Sequence, residues 1–256
     1  MSGKDEYYNR AKQEGYRARS AYKLQQLDET ADLLGEGRTV VDLGAAPGGW
    51  LQVAAERVGE DGRVVGVDRQ RIDPLEDPDA PVETIRGDIT EESTVESITD
   101  AVGSANLVLS DMAPNVTGEY ELDHARSVHL ARQALDVALE ILDAGGDLVV
   151  KVFDGRDLED LKEDVEAEFE YVREVRPDAS RDSSSELYLV GKSRLTSPVR
   201  EGDTVEVEIV DEGSEGDGIA KVDGFTLFVA GASEGETLTV RVDDVKPRYA
   251  FAQSVE

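Results

Sequence analysis

Residues 40–50 read VVDLGAAPGGW, and this stretch decides the fold. An apolar, β-branched run ends on Asp42, a turn of small residues follows, and a helix is expected to begin near Gly49. Glycines at 44, 48 and 49 let a ligand approach the backbone closely. The turn also stands at the carboxyl end of a strand, where open α/β sheets bind ligands. Its spacing is not the G-x-G-x-x-G that cradles a pyrophosphate, and the bulkier Ala-Ala-Pro turn suits a cofactor without phosphates.

On either side, from about 39 to 190, short β-branched runs alternate with helical patterns. This predicts an α/β fold of Rossmann-like type, with a mostly parallel sheet covered by helices. Strands are expected at 39–43, 63–68, 82–88, 105–111, 146–153, 168–175 and 185–191, the last two forming a hairpin at the sheet edge. Helices are expected near 6–34, 49–59, 91–102, 120–143 and 156–168, with Ala144, Gly145 and Gly146 as a helix stop. After LTSPVRE the pattern changes to short alternating strands with Gly-rich turns and no convincing helix. A boundary therefore falls at 194, giving an α/β domain over 1–194 and a small closed all-β barrel of OB-like type over 195–256.

Two more acids stand where the next strands end. Asp68 lies about 20 residues beyond the turn, placed to accept ribose hydroxyls, and Asp88 is placed to accept from an adenine amino group. Either alone reads as a cap or a solvated turn. Three acidic strand ends in succession, beside a Gly-rich turn, point to an adenosyl cofactor.

The chain has 256 residues, no cysteine and two histidines, which excludes disulfides and thiolate chemistry and leaves no metal site to expect. No apolar run is long enough to span a bilayer and the first residues lack a signal-peptide core, so a cytoplasmic protein without membrane association is expected, acting as a monomer. The net charge of −30 is spread along the whole chain, which suits a host rich in salt. In molar salt the Debye length falls to about 3 Å, and local charge becomes the guide to nucleic-acid binding. Residues 1–27 reverse the sign: Lys4, Arg10, Lys12, Arg17, Arg19 and Lys23 outnumber Asp5, Glu6 and Glu14. That segment could face phosphate.

Four polar residues resist a structural explanation: Lys23 in RSAYKLQQL, Asp111 in SDMAPN, Lys151 inside the apolar DLVVKVF, and Glu186 opening SELYLV. A lysine within a buried strand needs a partner, and Glu186 is the natural candidate. Taken together, DLGAAPGGW, SDMAPN, VVKVF and SRDSSSELYLV resemble, in order and spacing, the motifs of the FtsJ/RrmJ family of 23S ribosomal RNA ribose 2'-O-methyltransferases, over roughly residues 10–192. The resemblance implies S-adenosyl-L-methionine as cofactor, contacted by Gly48, Trp50, Asp68, Asp88 and Asp111. It implies a catalytic tetrad of Lys23, Asp111, Lys151 and Glu186, with Lys151 as proton acceptor, a role open only to the neutral amine. Glu186 would orient Lys151, while Asp111 and Lys23 position the ribose and the developing charge. The implied substrate is a uridine in the A-loop of 23S rRNA in the large ribosomal subunit. The last 60 or so residues are similar to a TRAM domain, an RNA-binding barrel that shorter bacterial members lack, which leaves target choice open.

Other features read less sharply. Tyr7, Tyr8, Tyr16 and Tyr22 suit either stacking on bases or packing on the sheet; His124 and His129 read as surface or cap residues; Phe225, Phe228, Tyr249 and Phe251 suit either barrel core or stacking platforms, with core the safer reading for most. Three competing functions remain: the same cofactor site serving a small molecule or protein, an RNA-binding assembly factor with a vestigial pocket, and a nicotinamide dehydrogenase. The first lacks substrate-binding insertions, the second would not need Lys23 and Lys151, and the third lacks its pyrophosphate loop.

Overall fold

The computed structural model describes residues 4–180, 184–213 and 216–255. The side chains of Lys4, Asp5 and Glu6, counted above in the basic segment, lie outside the described residues, as do Arg181, Asp182 and Ser183 of the SRDSSSELYLV motif. Contacts divide the chain into two compact units, one of Met1–Ala167 with Tyr171–Lys192 and the other of Glu168–Glu170 with Ser193–Glu256.

The first unit is built on a seven-stranded sheet in the order β3-β2-β1-β4-β5-β7-β6. Its strands are β1 (Thr39–Leu43), β2 (Arg63–Asp68), β3 (Val82–Arg86), β4 (Ala105–Ser110), β5 (Leu142–Phe153), β6 (Phe169–Val175) and β7 (Glu186–Arg194). Strands β1, β2 and β4 are buried along nearly their whole length, as β-branched strands covered on both faces must be. From β3 to β5 the neighbours run parallel, whereas β7 enters antiparallel to β5. The chain winds from β1 outward through β2 and β3, then returns to the other side of β1 at β4. The winding therefore switches direction between β1 and β4, and a crevice opens over their carboxyl ends.

Among the described residues six helices accompany the sheet: α1 (Lys4–Glu14), α2 (Ala21–Ala31), α3 (Gly49–Val58), α4 (Glu92–Val102), α5 (Tyr120–Ile141) and α6 (Leu158–Glu166). The single helix expected over 6–34 is two, because Gly15 adopts a positive φ of 83° and residues 15–20 cross to α3 before α2 begins. Nor do Ala144 to Gly146 stop a helix. Helix α5 ends at Ile141 and β5 starts at Leu142, and the glycines lie in the strand where its register against β4 shifts.

The second unit is a closed barrel of β8 (Thr204–Glu212), β9 (Gly218–Val222), β10 (Phe225–Val229), β11 (Thr237–Val245) and β12 (Tyr249–Ser254), in the order β10-β12-β11-β8-β9. Its core is aliphatic: Val207, Ile209, Leu227, Val229, Val240 and Val242 fill it with Ala220, Ala250 and Ala252. This corrects the expectation that most of the aromatics are core. Strand alternation that turns Leu227, Val229, Ala250 and Ala252 inward turns Phe228, Tyr249 and Phe251 outward. The three rings lie 5.5–5.9 Å apart and pack on one another. Only Phe225 leans against the core.

Candidate active site

A cavity of about 870 Å³ occupies the crevice over the carboxyl ends of β1, β2 and β4, with Asp68, Asp88 and Asp111 in its wall. Gly44, at a φ of 80°, forms its floor against Met112, and a β-carbon there would overlap that side chain. Asp68 accepts hydrogen bonds from the Ala46 and Gln70 amides at 3.0 and 2.7 Å, tying the Gly-rich turn to the end of β2. Asp88 accepts from the Thr90 amide and hydroxyl, which, with Arg69 nearby, hold its carboxyl below the usual carboxylate range. Each acid thus serves a local turn and the cavity together.

Gly48 and Trp50, also expected at the cofactor, do not line the cavity. Gly48 faces Arg17 and Ile72. The Trp50 ring is buried 5.9 Å from that of Tyr188, and its indole N–H donates to the Ser20 carbonyl at 2.7 Å. Beneath the turn, Asp42 is fully buried with no hydrogen-bond partner on either carboxylate oxygen. Burial first, and then the charges of Asp111 and Asp68, push its pKa well up. Three carboxylates around a cavity with a buried fourth acid beneath it disfavour a pyrophosphate and suit a nucleoside that carries positive charge.

At the β4 side of the cavity the structure brings Lys23, Asp111, Lys151 and Glu186 together. Ser110 pairs with Val150, so the next residues, Asp111 and Lys151, stand side by side at the ends of β4 and β5. Lys151 donates to an Asp111 carboxylate oxygen at 2.8 Å and to the Asp111 carbonyl at 2.5 Å. Lys23, on the first turn of α2, lies 2.7 Å from Glu186 and 3.8 Å from Asp111. Glu186 is therefore not the partner of Lys151. The antiparallel register sets Lys151 opposite Tyr188 and Glu186 opposite Phe153, one pleat farther on, where it meets Lys23 instead.

Tyr188 is the member of this cluster that sequence reasoning missed. Its hydroxyl donates to Asp111 at 2.6 Å and its ring lies 5.8 Å from the Lys23 ammonium. The alternation of ELYLV, which puts residues 186 and 188 on one face, was the available signal. Burial pushes the Asp111 carboxyl up, but Lys151, Lys23 and the Lys151 and Tyr188 hydrogen bonds outweigh it and hold the group below the usual carboxylate value. Tyr188 itself is pushed well up by burial and by the neighbouring carboxylates.

The basic N-terminal segment is partly committed to structure. The Arg17 guanidinium donates to the carbonyls of Pro47, Asp73 and Pro74, clamping the Gly-rich turn to the loop after β2. Tyr7 and Tyr16 both pack against Tyr22, and burial, then hydrogen bonding to glutamates, raises Tyr16 and Tyr22 to about 12; of the four tyrosines Tyr8 is the one left exposed. His124 is no surface residue but is buried beside the loop after β5, while His129 borders the cavity. Among the described residues no His, Asp or Glu cluster is suited to a metal, and no helix is long and apolar enough to cross a membrane.

The profile of FtsJ-like methyltransferases matches residues 16–194, and that of the TRAM domain matches residues 198–255. Proteins named ribosomal RNA large subunit methyltransferase E are 72% identical in Haloarcula marismortui and 66% in Natronomonas pharaonis, over the full length of both chains. One of the same name in Methanothrix thermoacetophila is 50% identical over 99% of this chain and 97% of its own. A crystal structure provisionally described as a ribosomal RNA methyltransferase from Plasmodium falciparum superposes with a TM-score of 0.61 at 26% identity, covering 70% of this chain and 98% of that one.

Proposed function

The chain belongs to the FtsJ-like methyltransferase family, and from that membership we propose that it methylates the ribose 2'-hydroxyl of a uridine in 23S rRNA of the large ribosomal subunit, using S-adenosyl-L-methionine. The observation that carries this reading is the meeting of Lys151, Asp111 and Lys23 at one wall of a cavity edged by Asp68 and Asp88. When bound, S-adenosylmethionine supplies an activated sulfonium methyl. Asp68 would hold its ribose hydroxyls, Asp88 its adenine amino group, and the acidic surroundings suit its charge.

With the methyl already activated, the chain's task is to align the 2'-hydroxyl and accept its proton. Lys151 accepts that proton at Nζ after releasing to solvent the proton it carries against Asp111, and the Asp111 carboxylate beside it neutralises the ammonium that re-forms. Tyr188 fixes the orientation of Asp111. Glu186 acts one step away from the place first expected of it, by holding Lys23 toward Asp111, where the ammonium faces the incoming ribose. In the barrel, the outward cluster of Phe228, Tyr249 and Phe251 supports RNA binding, because rings exposed on a barrel face offer stacking surface for unpaired bases. The spread of acidic residues suits a cytoplasm rich in salt, where a monomer would meet the large subunit at short range.

The test is methyl transfer from labelled S-adenosylmethionine, in molar KCl, to large subunits from a strain lacking this protein, followed by digestion to nucleosides. Label in 2'-O-methyluridine is expected. Label in a base-methylated nucleoside, or bound cofactor with no labelled RNA, would refute the reading.

A further inference from the structure

A ribose delivered to Lys151 arrives with its base, and the tetrad has nothing to hold one: both lysines are buried and engaged with carboxylates. The segment that follows Asp111 differs. Val116, Tyr120 and Leu122 are 68%, 55% and 37% exposed, large apolar side chains set among polar ones within seven residues of a chain of net charge −30. Tyr120 opens α5, and its hydroxyl donates to the Asp154 carbonyl at 2.7 Å. Asp154 in turn donates its amide to Ser185, the neighbour of Glu186, at 2.8 Å. The ring therefore bridges from the loop after Asp111 to the loop after Lys151, at the mouth of the tetrad.

The receiving loop is held rigidly. Buried His124 donates from Nδ1 to the Phe153 carbonyl at 2.9 Å and accepts the Asp157 amide at Nε2 at 3.0 Å. Gly155 lies against that imidazole with no room for a β-carbon. An exposed tyrosine would ordinarily swing free, yet here the hydroxyl is anchored while more than half of the residue stays exposed. To bring a 2'-hydroxyl to a buried amine, a nucleotide must leave its stack, and an aromatic face replaces what the base loses.

We propose that Tyr120 is a stacking platform for an unpaired nucleobase of the substrate RNA, at or beside the methylated nucleotide. This rests on the reading of rRNA as substrate. The test measures methyl transfer to large subunits by wild type and the variants Tyr120→Ala, Tyr120→Leu and Tyr120→Phe, with cofactor affinity by calorimetry. Loss of stacking should raise KM for the subunits about tenfold in Ala and Leu, while Phe keeps most of the wild-type value and cofactor affinity stays the same in all. Photocrosslinking of 5-iodouridine-substituted rRNA should yield a peptide containing Tyr120. An unchanged KM in Ala, or full rescue by Leu, overturns the platform while leaving the proposed reaction standing. If wild type labels no RNA, the reaction itself fails and the platform with it.

Discussion

Two aspartates in the α/β unit, Asp147 buried and Asp111 half-buried, each meet basic side chains, and only Asp111 lines the cavity. Asp111 holds Lys151 at 2.8 Å and Lys23 at 3.8 Å. Asp147 holds Lys192 at 2.7 Å and Arg38 at 2.9 Å. Asp147 and Lys151 even share β5, four residues and about 13 Å apart. A buried ion cluster is therefore no sign of function by itself. What separates the two is position. Asp147 lies toward the amino end of the sheet, whereas Asp111 stands at the carboxyl end, beside the switch in winding, and lines a cavity with two further acids.

The largest expected difference follows from neutralising each acid. On the proposed mechanism Asp111→Asn should lower the rate of methyl transfer by about 10²–10⁴, since it removes the carboxylate that stabilises the ammonium formed on Lys151. Asp147→Asn should instead cost about 3 kcal/mol of stability by leaving two cations unpaired, with the transfer rate per folded molecule unchanged. Thermal unfolding and single-turnover kinetics of both variants would separate them, and a slow Asp147→Asn enzyme would erase the distinction. A double-mutant cycle sharpens the pairing inside the tetrad. Lys23→Ala with Glu186→Ala should couple by about 1–3 kcal/mol in transfer, and more strongly than Lys151→Ala with Glu186→Ala; the reverse order would restore the pairing first expected.

The smallest effect concerns pH. Asp42, whose carboxyl is raised by burial, contributes most stability below the ordinary carboxylate range and loses that contribution as pH rises toward its folded value. Asp111, held low, does the opposite, and its contribution is lost as pH falls through its folded value. Asp42→Asn should therefore unfold at a temperature no lower than wild type at pH 8, with a flatter slope through neutral pH. A slope equal to that of wild type would mean that Asp42 is already charged there.

The Gly-rich turn, the acids that follow it and the succession of β1 to β5 were legible because each is a local pattern a few residues long. The partner of Lys151 was not, because it depends on two registers, β4 on β5 and β5 on β7, set by paired residues 33 or more apart in the chain. Position alone brought Glu186 near Lys151 in sequence reasoning; the pleat carried it one step past, to Lys23. The outward barrel aromatics were misread for a related reason: large apolar residues read as core unless it is known that smaller neighbours already fill the barrel. His124 hid in the same way, its two partners lying 29 and 33 residues away.

The central claim is that Lys151 accepts the ribose proton. The direct measurement is the single-turnover rate of methyl transfer to unmethylated large subunits by Lys151→Ala, with cofactor affinity and unfolding temperature recorded alongside. A rate at least 100-fold below wild type, in a folded protein that binds S-adenosylmethionine as wild type does, is the expected result. Transfer within a few fold of wild type would contradict it and move the proton to another group.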